Sequence, residues 1–237
     1  MSETLRQQAN DLFDLSLTDT QIEQFATYAR ELIAWNEKIN LTAIIDPDGI
    51  RVRHFLDSLS VVTVNTFQDG AFIVDIGTGA GFPGLPLAIA FPQTRVTLID
   101  STGKKITFLD HVIKTLGLSN VRTLKARAEE AGHISHHRAK YDVVLARAVA
   151  RLPGLVEYML PLARVGGRCI AMKGDTAQQE ADDAKRALKI LGGKLSRIEG
   201  VSLPDVESTH QLVVIEKTDP TPKGYPRSPG IPTRKPI

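Results

Sequence analysis

From residue 72 onward, short apolar runs alternate with stretches of helical periodicity. Phe72-Ile-Val-Asp-Ile76 is broken only by Asp75 and predicts a strand buried on both faces. Gly77, Gly79 and Gly81 follow, a turn in which the backbone can take positive φ and a ligand can lie against it. Pro83 or Pro86 then suits the first turn of a helix, with Leu85, Leu87, Ala88 and Ile89 on its buried side. The pattern continues with strands at 95–99, 121–125, 141–146 and 167–173, and helices at 83–90, 103–116, 152–163 and 176–191. Extended runs at about 195–203 and 211–217, separated only by a loop, predict an antiparallel edge. The expectation is a doubly wound α/β sheet of seven strands with right-handed crossovers. Residues 1–70 read instead as a helical extension. Thr18-Asp-Thr-Gln21 is a capping box, followed by Ile22, Phe25, Ala26, Ala29, Leu32 and Ile33 at helical spacing. A second helical stretch runs from about Asp48 to Val64.

Charge changes this picture at one end only. The 237 residues carry a net charge of +2, but residues 218–237 alone carry +3 and six of the 13 prolines. The chain therefore divides into a helical extension (1–70), an α/β domain (71–217) and a basic, proline-rich tail (218–237). The tail is too poor in large apolar side chains to build core, and is expected to be mobile or loosely draped. The alternative is a tail packed across the body, with Tyr225 and Ile231 as anchors. One cysteine, Cys169, gives no disulfide framework and fits a cytoplasmic protein. No apolar run approaches a membrane span and no signal peptide is evident.

The glycine turn narrows the chemistry. A dinucleotide fingerprint, G-x-G-x-x-G, needs a third glycine where this chain has Phe82. Asp100 ends the second strand, twenty-three residues past Gly77, where a carboxylate can accept hydrogen bonds from ribose hydroxyls. The acid is common to nicotinamide and S-adenosylmethionine proteins, whereas the glycine spacing favours the methyl donor. Gly77 lets the backbone approach the methionine moiety, and Phe82 is expected to form an apolar wall beside it.

Several motifs together carry a resemblance. Asp75-Ile-Gly-Thr-Gly-Ala-Gly-Phe-Pro-Gly84, Ile99-Asp-Ser-Thr-Gly-Lys-Lys105, Arg127-Ala-Glu-Glu130 and Ala146-Arg-Ala-Val-Ala150 resemble the G-type small-subunit ribosomal RNA methyltransferases, the glucose-inhibited division protein B family. Trp35-Asn-Glu-Lys-Ile-Asn-Leu-Thr42, Arg53-His-Phe-Leu-Asp-Ser-Leu59 and Lys173-Gly174 extend the similarity over nearly the whole chain, and Thr221 to Gly230 resembles the longer members. The resemblance implies a Rossmann-like class I methyltransferase that uses S-adenosylmethionine to methylate N7 of one guanine in 16S rRNA of the small ribosomal subunit. It also implies that Ala128 and Glu129 meet the adenine edge of the donor and that Arg147 contacts the donor's carboxylate. Candidate RNA contacts are Arg51, Arg53, His54, Lys173, Lys223 and Arg227. A solvated helix face with a satisfied histidine is the alternative for the first three.

The residues after the fourth strand bear on the target atom. Amino-group methyltransferases usually place Asp/Asn-Pro-Pro-aromatic there, and this chain has Ala146-Arg-Ala-Val149. Cytosine C5 transfer needs a thiolate, and Cys169 lies mid-strand in apolar company. Ribose transfer typically uses a Lys-Asp-Lys-Glu set; Lys173 can stand for one lysine, but the aspartate is missing. A guanine N7 has a free lone pair and needs placement rather than a base, so no catalytic side chain is expected. His133, His136 and His137 lack carboxylate or thiol partners at convincing spacing, so no metal is expected. The rival readings are a nicotinamide-dependent oxidoreductase and a non-catalytic RNA-binding module with a vestigial pocket.

Overall fold

In the computed structural model, which describes residues 2–207 and 210–237, β1 (Phe72–Ile76) lies at the centre of a single sheet. It pairs in parallel with β2 (Arg95–Asp100) on one side and β4 (Tyr141–Arg147) on the other. β3 (Val121–Lys125) extends the first side, and β5 (Ala163–Lys173) the second. β7 (His210–Lys217) runs antiparallel to β5, and β6 (Gly193–Val201) antiparallel to β7. The order is β3-β2-β1-β4-β5-β7-β6, seven strands with the expected antiparallel edge. The chain winds outward from β1 to β3 and then crosses back to β4. The β1/β4 boundary is thus the switch point, where open α/β sheets leave a crevice at the strands' carboxyl ends.

Alternation along the strands sorts side chains between two cores. Ile73, Leu98, Val143, Leu145, Ile170 and Val214 face one side. There they pack against α1 (Ser2–Phe13), α2 (Asp19–Asn36) and α3 (47–63), with α4 (Gly84–Ala90) and α5 (Gly103–Thr115). Val74, Ile76, Val144, Ala146, Ala171 and Val213 face the other, under α7 (Leu152–Met159), α8 (Ala177–Asp183) and α9 (Lys185–Leu191). A short α6 (Ala128–Ala131) follows β3. The N-terminal helices therefore share one apolar core with the sheet.

The Thr18 capping box forms as expected, with Gln21 N donating to Thr18 Oγ1 and Thr18 N to Gln21 Oε1. α3 is irregular: one α turn (Pro47–Gly49), a π-helical stretch (Ile50–Leu56), another α turn (Asp57–Leu59) and a 3-10 turn (Ser60–Thr63). Two helices end earlier than expected. α7 stops at Met159, close before Pro161, whose ring has no N–H to continue the ladder. The stretch 176–191 splits because the Ala184 N–H is shared between the Glu180 and Ala181 carbonyls, which tightens the turn and starts α9 on a new path. Among the described residues, no helix is long and apolar enough to cross a membrane.

The tail corrects the expectation of a loosely draped arm. It packs across the body, and polar contacts hold it. Arg138 donates to the carbonyls of Tyr225 (2.7 Å) and Thr221 (2.9 Å), and His133 Nε2 to that of Pro226 (2.7 Å). Arg227 forks onto the Glu157 carboxylate, with Nη2–Oε2 at 2.7 Å, and its own N–H also reaches Oε1. Glu157 is 0% exposed. Beyond it, α10 (Ile231–Arg234) lies on α7, and Tyr225 and Ile237 pack against the second core. Composition predicted disorder because it counts apolar side chains; what orders this tail is a buried acid and a set of fixed carbonyls. Arg227→Ala strands the Glu157 charge and is expected to cost about 3 kcal/mol in urea unfolding. Adding Glu157→Gln should recover much of that loss, and a single variant as stable as wild type would show the ion pair to be dispensable.

Candidate active site

The turn after β1 is held by two carboxylates. Asp75 is fully buried; its Oδ2 accepts from Thr78 Oγ1 (2.6 Å) and from Gly84 N (2.9 Å). Burial pushes its pKa up to about 7, against the pull of those two donors. Asp100 ties the turn to β2, accepting from Gly79 N (3.0 Å) and Thr102 N (2.8 Å), with Lys105 Nζ at 3.6 Å. Gly77 sits at φ +62°, and a Cβ there would come within 2.7 Å of Val149 Cγ2. A side chain at this position would be strained and would displace the loop after β4.

In front of this turn lies a cleft of about 330 Å³, lined by Gly77, Asp100, Ala128, Glu129, Val149 and Tyr158, with Gly230 and Thr233 of the tail. A wider groove, about 590 Å³, lies at the opposite edge of the strands beside Phe72, Arg95 and Arg122. It is away from the loops that follow the strands' carboxyl ends, where ligands bind in this architecture.

A second cleft, about 410 Å³, opens beyond β4 and is lined by Asp57, Arg147, Lys173, Asp175, Glu180 and His210, among others. Arg147 Nη1 donates to Asp57 Oδ2 (2.7 Å) and to the Arg53 carbonyl (3.0 Å), which the π-helical stretch presents to it. Its guanidinium lies 5.0 Å from the Phe82 ring centroid. His54 stacks on Phe82 with centroids 4.4 Å apart, and its Nε2 pairs with Thr42 Oγ1 at 2.8 Å. Burial, helped by Arg147, lowers the His54 pKa to about 4. His210 Nδ1 lies 2.9 Å from Asp57 Oδ1, and that hydrogen bond raises its pKa. Burial alone would raise Asp57, but His210 and Arg147 outweigh it and hold the acid below its ordinary range. Ala148, next to Arg147, is held at φ +55°, a rare conformation for a side-chain-bearing residue. The Arg147–Val149 segment is the partition between the two clefts. Lys173 Nζ reaches the Ala150 carbonyl (2.6 Å) and Glu180 (2.7 Å).

The sequence candidates separate accordingly. Gly77, Asp100, Ala128 and Glu129 come together in the first cleft. Phe82 does not line it, contrary to expectation; it is buried beneath Arg147, between His54 and Tyr28. Arg147 faces the second cleft, engaged with Asp57. Among the RNA candidates, Arg53 and Lys223 are exposed. Arg51 is buried, bonded to Gln8 and Asp48; His54 is stacked; Lys173 and Arg227 are ion-paired. Those four are committed to the fold rather than free cations. Of the histidines, His133 holds the tail and His137 Nδ1 lies 2.5 Å from the Tyr141 hydroxyl. Burial pushes the Cys169 thiol up to about 12, so it offers no thiolate. Sequence reasoning missed Asp57 and His210, because their partners lie far along the chain; Asp57 is 90 residues from Arg147 and 153 from His210.

The first cleft fits the methyl donor. It offers a glycine cradle that a side chain would disturb, one carboxylate where β2 ends and another on α6. S-adenosylmethionine carries hydroxyls and an amino group to give to two such acceptors.

The family described as rRNA small subunit methyltransferase G matches residues 21–210. This chain is similar to the ribosomal RNA small subunit methyltransferase G of Roseiflexus sp. strain RS-1, 51% identical over 223 residues and 94% of each chain. It is also similar to that of Pelotomaculum thermopropionicum, 45% identical over 100% of this chain and 99% of the relative. A solved structure of a SAM dependent methyltransferase from Aquifex aeolicus superposes with a TM-score of 0.54 at 17% identity, over 77% of this chain and 97% of that one. That likeness is one of fold, the class I methyltransferase sheet.

The His54 environment has a pH signature. Its folded pKa lies below the ordinary histidine value of 6.5, so its stabilising contribution is full above that pH and is lost as pH falls toward 4. Moving from pH 7 to 5 should destabilise the wild type by about 2 kcal/mol more than His54→Asn, read from urea midpoints. The comparison cancels Asp75, whose raised pKa acts in the opposite direction. Parallel pH profiles would contradict the buried neutral imidazole.

Proposed function

The chain belongs to the rRNA small subunit methyltransferase G family, and we propose that it transfers the methyl group of S-adenosylmethionine to N7 of a specific guanine in 16S rRNA of the small ribosomal subunit, in the cytoplasm. The observation that carries this reading is the pair of clefts meeting at the switch point, divided only by the Arg147–Val149 segment. When bound, S-adenosylmethionine supplies an electrophilic methyl on a sulfonium. Asp100 would take the ribose hydroxyls, Glu129 and Ala128 the adenine edge, and Gly77 the backbone approach of the methionine end. Arg147 would lie between donor and acceptor, its direction fixed by Asp57.

The acceptor side supports a target that needs no deprotonation. Asp57 and Glu180 face the second cleft, and both are held below the ordinary carboxylate range. Burial works against Glu180 ionisation, but Lys173, Leu152 N and Thr176 outweigh it. Such acids are poor bases. A ring nitrogen with its own lone pair asks only for in-line placement, which proximity supplies. Arg53, exposed on the π-helical stretch near His210, and Lys223 are the remaining cations suited to phosphate contact.

Nucleoside mass spectrometry of rRNA from a deletion strain tests the reading; loss of one 7-methylguanosine from small-subunit RNA is the expected result. An intact modification profile would refute it. Asp100→Asn keeps the size of the side chain but removes its charge. It should weaken S-adenosylhomocysteine binding by roughly 10-fold in calorimetry, and the free protein's melting temperature should fall modestly, because an amide keeps only one of the two backbone N–H bonds that Asp100 accepts.

A further inference from the structure

We propose that the carboxy-terminal tail is a working wall of the donor cleft: Gly230 and Thr233 close the end where Glu129 lies, and the Gly230 N–H orients the Glu129 carboxylate for the donor's adenine amino group. The proposal rests on the reading of the first cleft as the donor site and adds residues beyond 21–210, the span that the family match covers.

Four observations carry it. Gly230 N donates to Glu129 Oε1 at 2.9 Å, and both residues line the cleft. Glu129 is only 6% exposed, so a carboxylate that nothing oriented there would be costly. Thr233 lines the same cleft, and the Tyr158 hydroxyl interacts with both Thr233 and Glu129. Finally, the body is shaped to receive this segment. A Cβ at Gly154 of α7 would meet the Pro232 carbonyl oxygen at 2.8 Å, and one at Gly132 would meet Pro226 at 2.6 Å.

Together these place a preorganised acceptor at one end of the cleft, held by chain that arrives about a hundred residues later in sequence. A carboxylate has acceptor capacity for about four hydrogen bonds. Holding Gly230 N–H and the Tyr158 hydroxyl therefore leaves room for an exocyclic amino group. An acceptor already oriented loses less freedom on binding, so the tail contributes to donor affinity through preorganisation. The Arg227–Glu157 anchor lies just upstream and fixes where the wall begins.

The test uses a chain ending at Pro229, which keeps that anchor and removes Gly230 and Thr233. Calorimetry with S-adenosylhomocysteine should show binding weakened roughly 10-fold relative to the full chain, while the free protein's melting temperature falls only a few degrees. Equal affinity would mean that the tail only packs, and tighter binding would mean that it competes with the donor; either overturns the proposal. Hydrogen exchange on the full chain gives a second reading that does not depend on a variant folding. Amides of residues 230–234 should gain protection when S-adenosylhomocysteine is added, and unchanged exchange there would also overturn the proposal. Asp100→Asn separates the two claims. A full chain that binds S-adenosylhomocysteine, with affinity sensitive to Asp100 but not to truncation, refutes the tail alone. A full chain that does not bind it refutes the donor cleft itself.

Discussion

Burying the Asp57 carboxylate costs several kcal/mol unless its lone pairs are filled, and two partners fill them: Arg147 at the end of β4 and His210 at the start of β7. Because α3 carries Asp57, this requirement pins the N-terminal helices to the switch point of the sheet. The constraint then passes through aromatic rings. Arg147 lies over Phe82, Phe82 stacks on His54 of α3 and Tyr28 of α2, and the Tyr28 hydroxyl donates to the Ala80 carbonyl at 2.5 Å. The glycine turn is thus gripped by Tyr28 from the helical layer, by Asp75 from beneath and by Asp100 from β2. A turn with so many positive-φ residues would otherwise sample many conformations, and a cleft built on it would bind weakly.

The opposite layer repeats the device with other acids. Glu157 takes Arg227, Glu129 takes Gly230 N–H, and Glu180 takes Lys173 and Leu152 N–H. The Glu157 and Glu129 contacts join segments 70 and 101 residues apart, and the Leu152–Glu180 contact spans 28. Removing one partner of such a pair leaves a buried charge uncompensated, which is why these contacts order a tail whose apolar content would not. Tail, α7 and α6 then behave as one support beside the cleft, while α3 and β7 form the other around Arg147.

What the sequence disclosed and what it withheld divide along physical lines. The central strands β1, β4 and β5 announced themselves because each carries a short, largely apolar run, and the closing antiparallel pair because only a loop separates its strands. Gly77 and Asp100 were legible because a strand, a turn and a terminal acid lie within one local unit. Phe82 was misplaced because periodicity reports that a ring is buried but not what it is buried against. Arg51, Arg227 and Lys173 read as free cations because charge on a sequence carries no partner; their acids are set by tertiary contacts. Asp57 and His210 were invisible as a site for the same reason, although Asp57 stood in plain view four residues after Arg53.

The same bookkeeping of charge bears on the chemistry. An enzyme that must strip a proton from its target keeps a base with raised pKa, free to move between protonation states. Here Asp57 and Glu180, two of the acids that line the second cleft, are driven the other way, and each is occupied by a fixed cation or N–H. Spending Asp57 as an anchor is compatible with turnover only where the reaction does not ask for its basicity. Transfer to a nitrogen lone pair meets that condition, since the positive charge moves from sulfonium to base without any proton leaving. On the proposed assignment of the two clefts, the catalytic demand is placement of two molecules across the Arg147–Val149 partition, and rigid placement is what buried ion pairs on three converging elements provide.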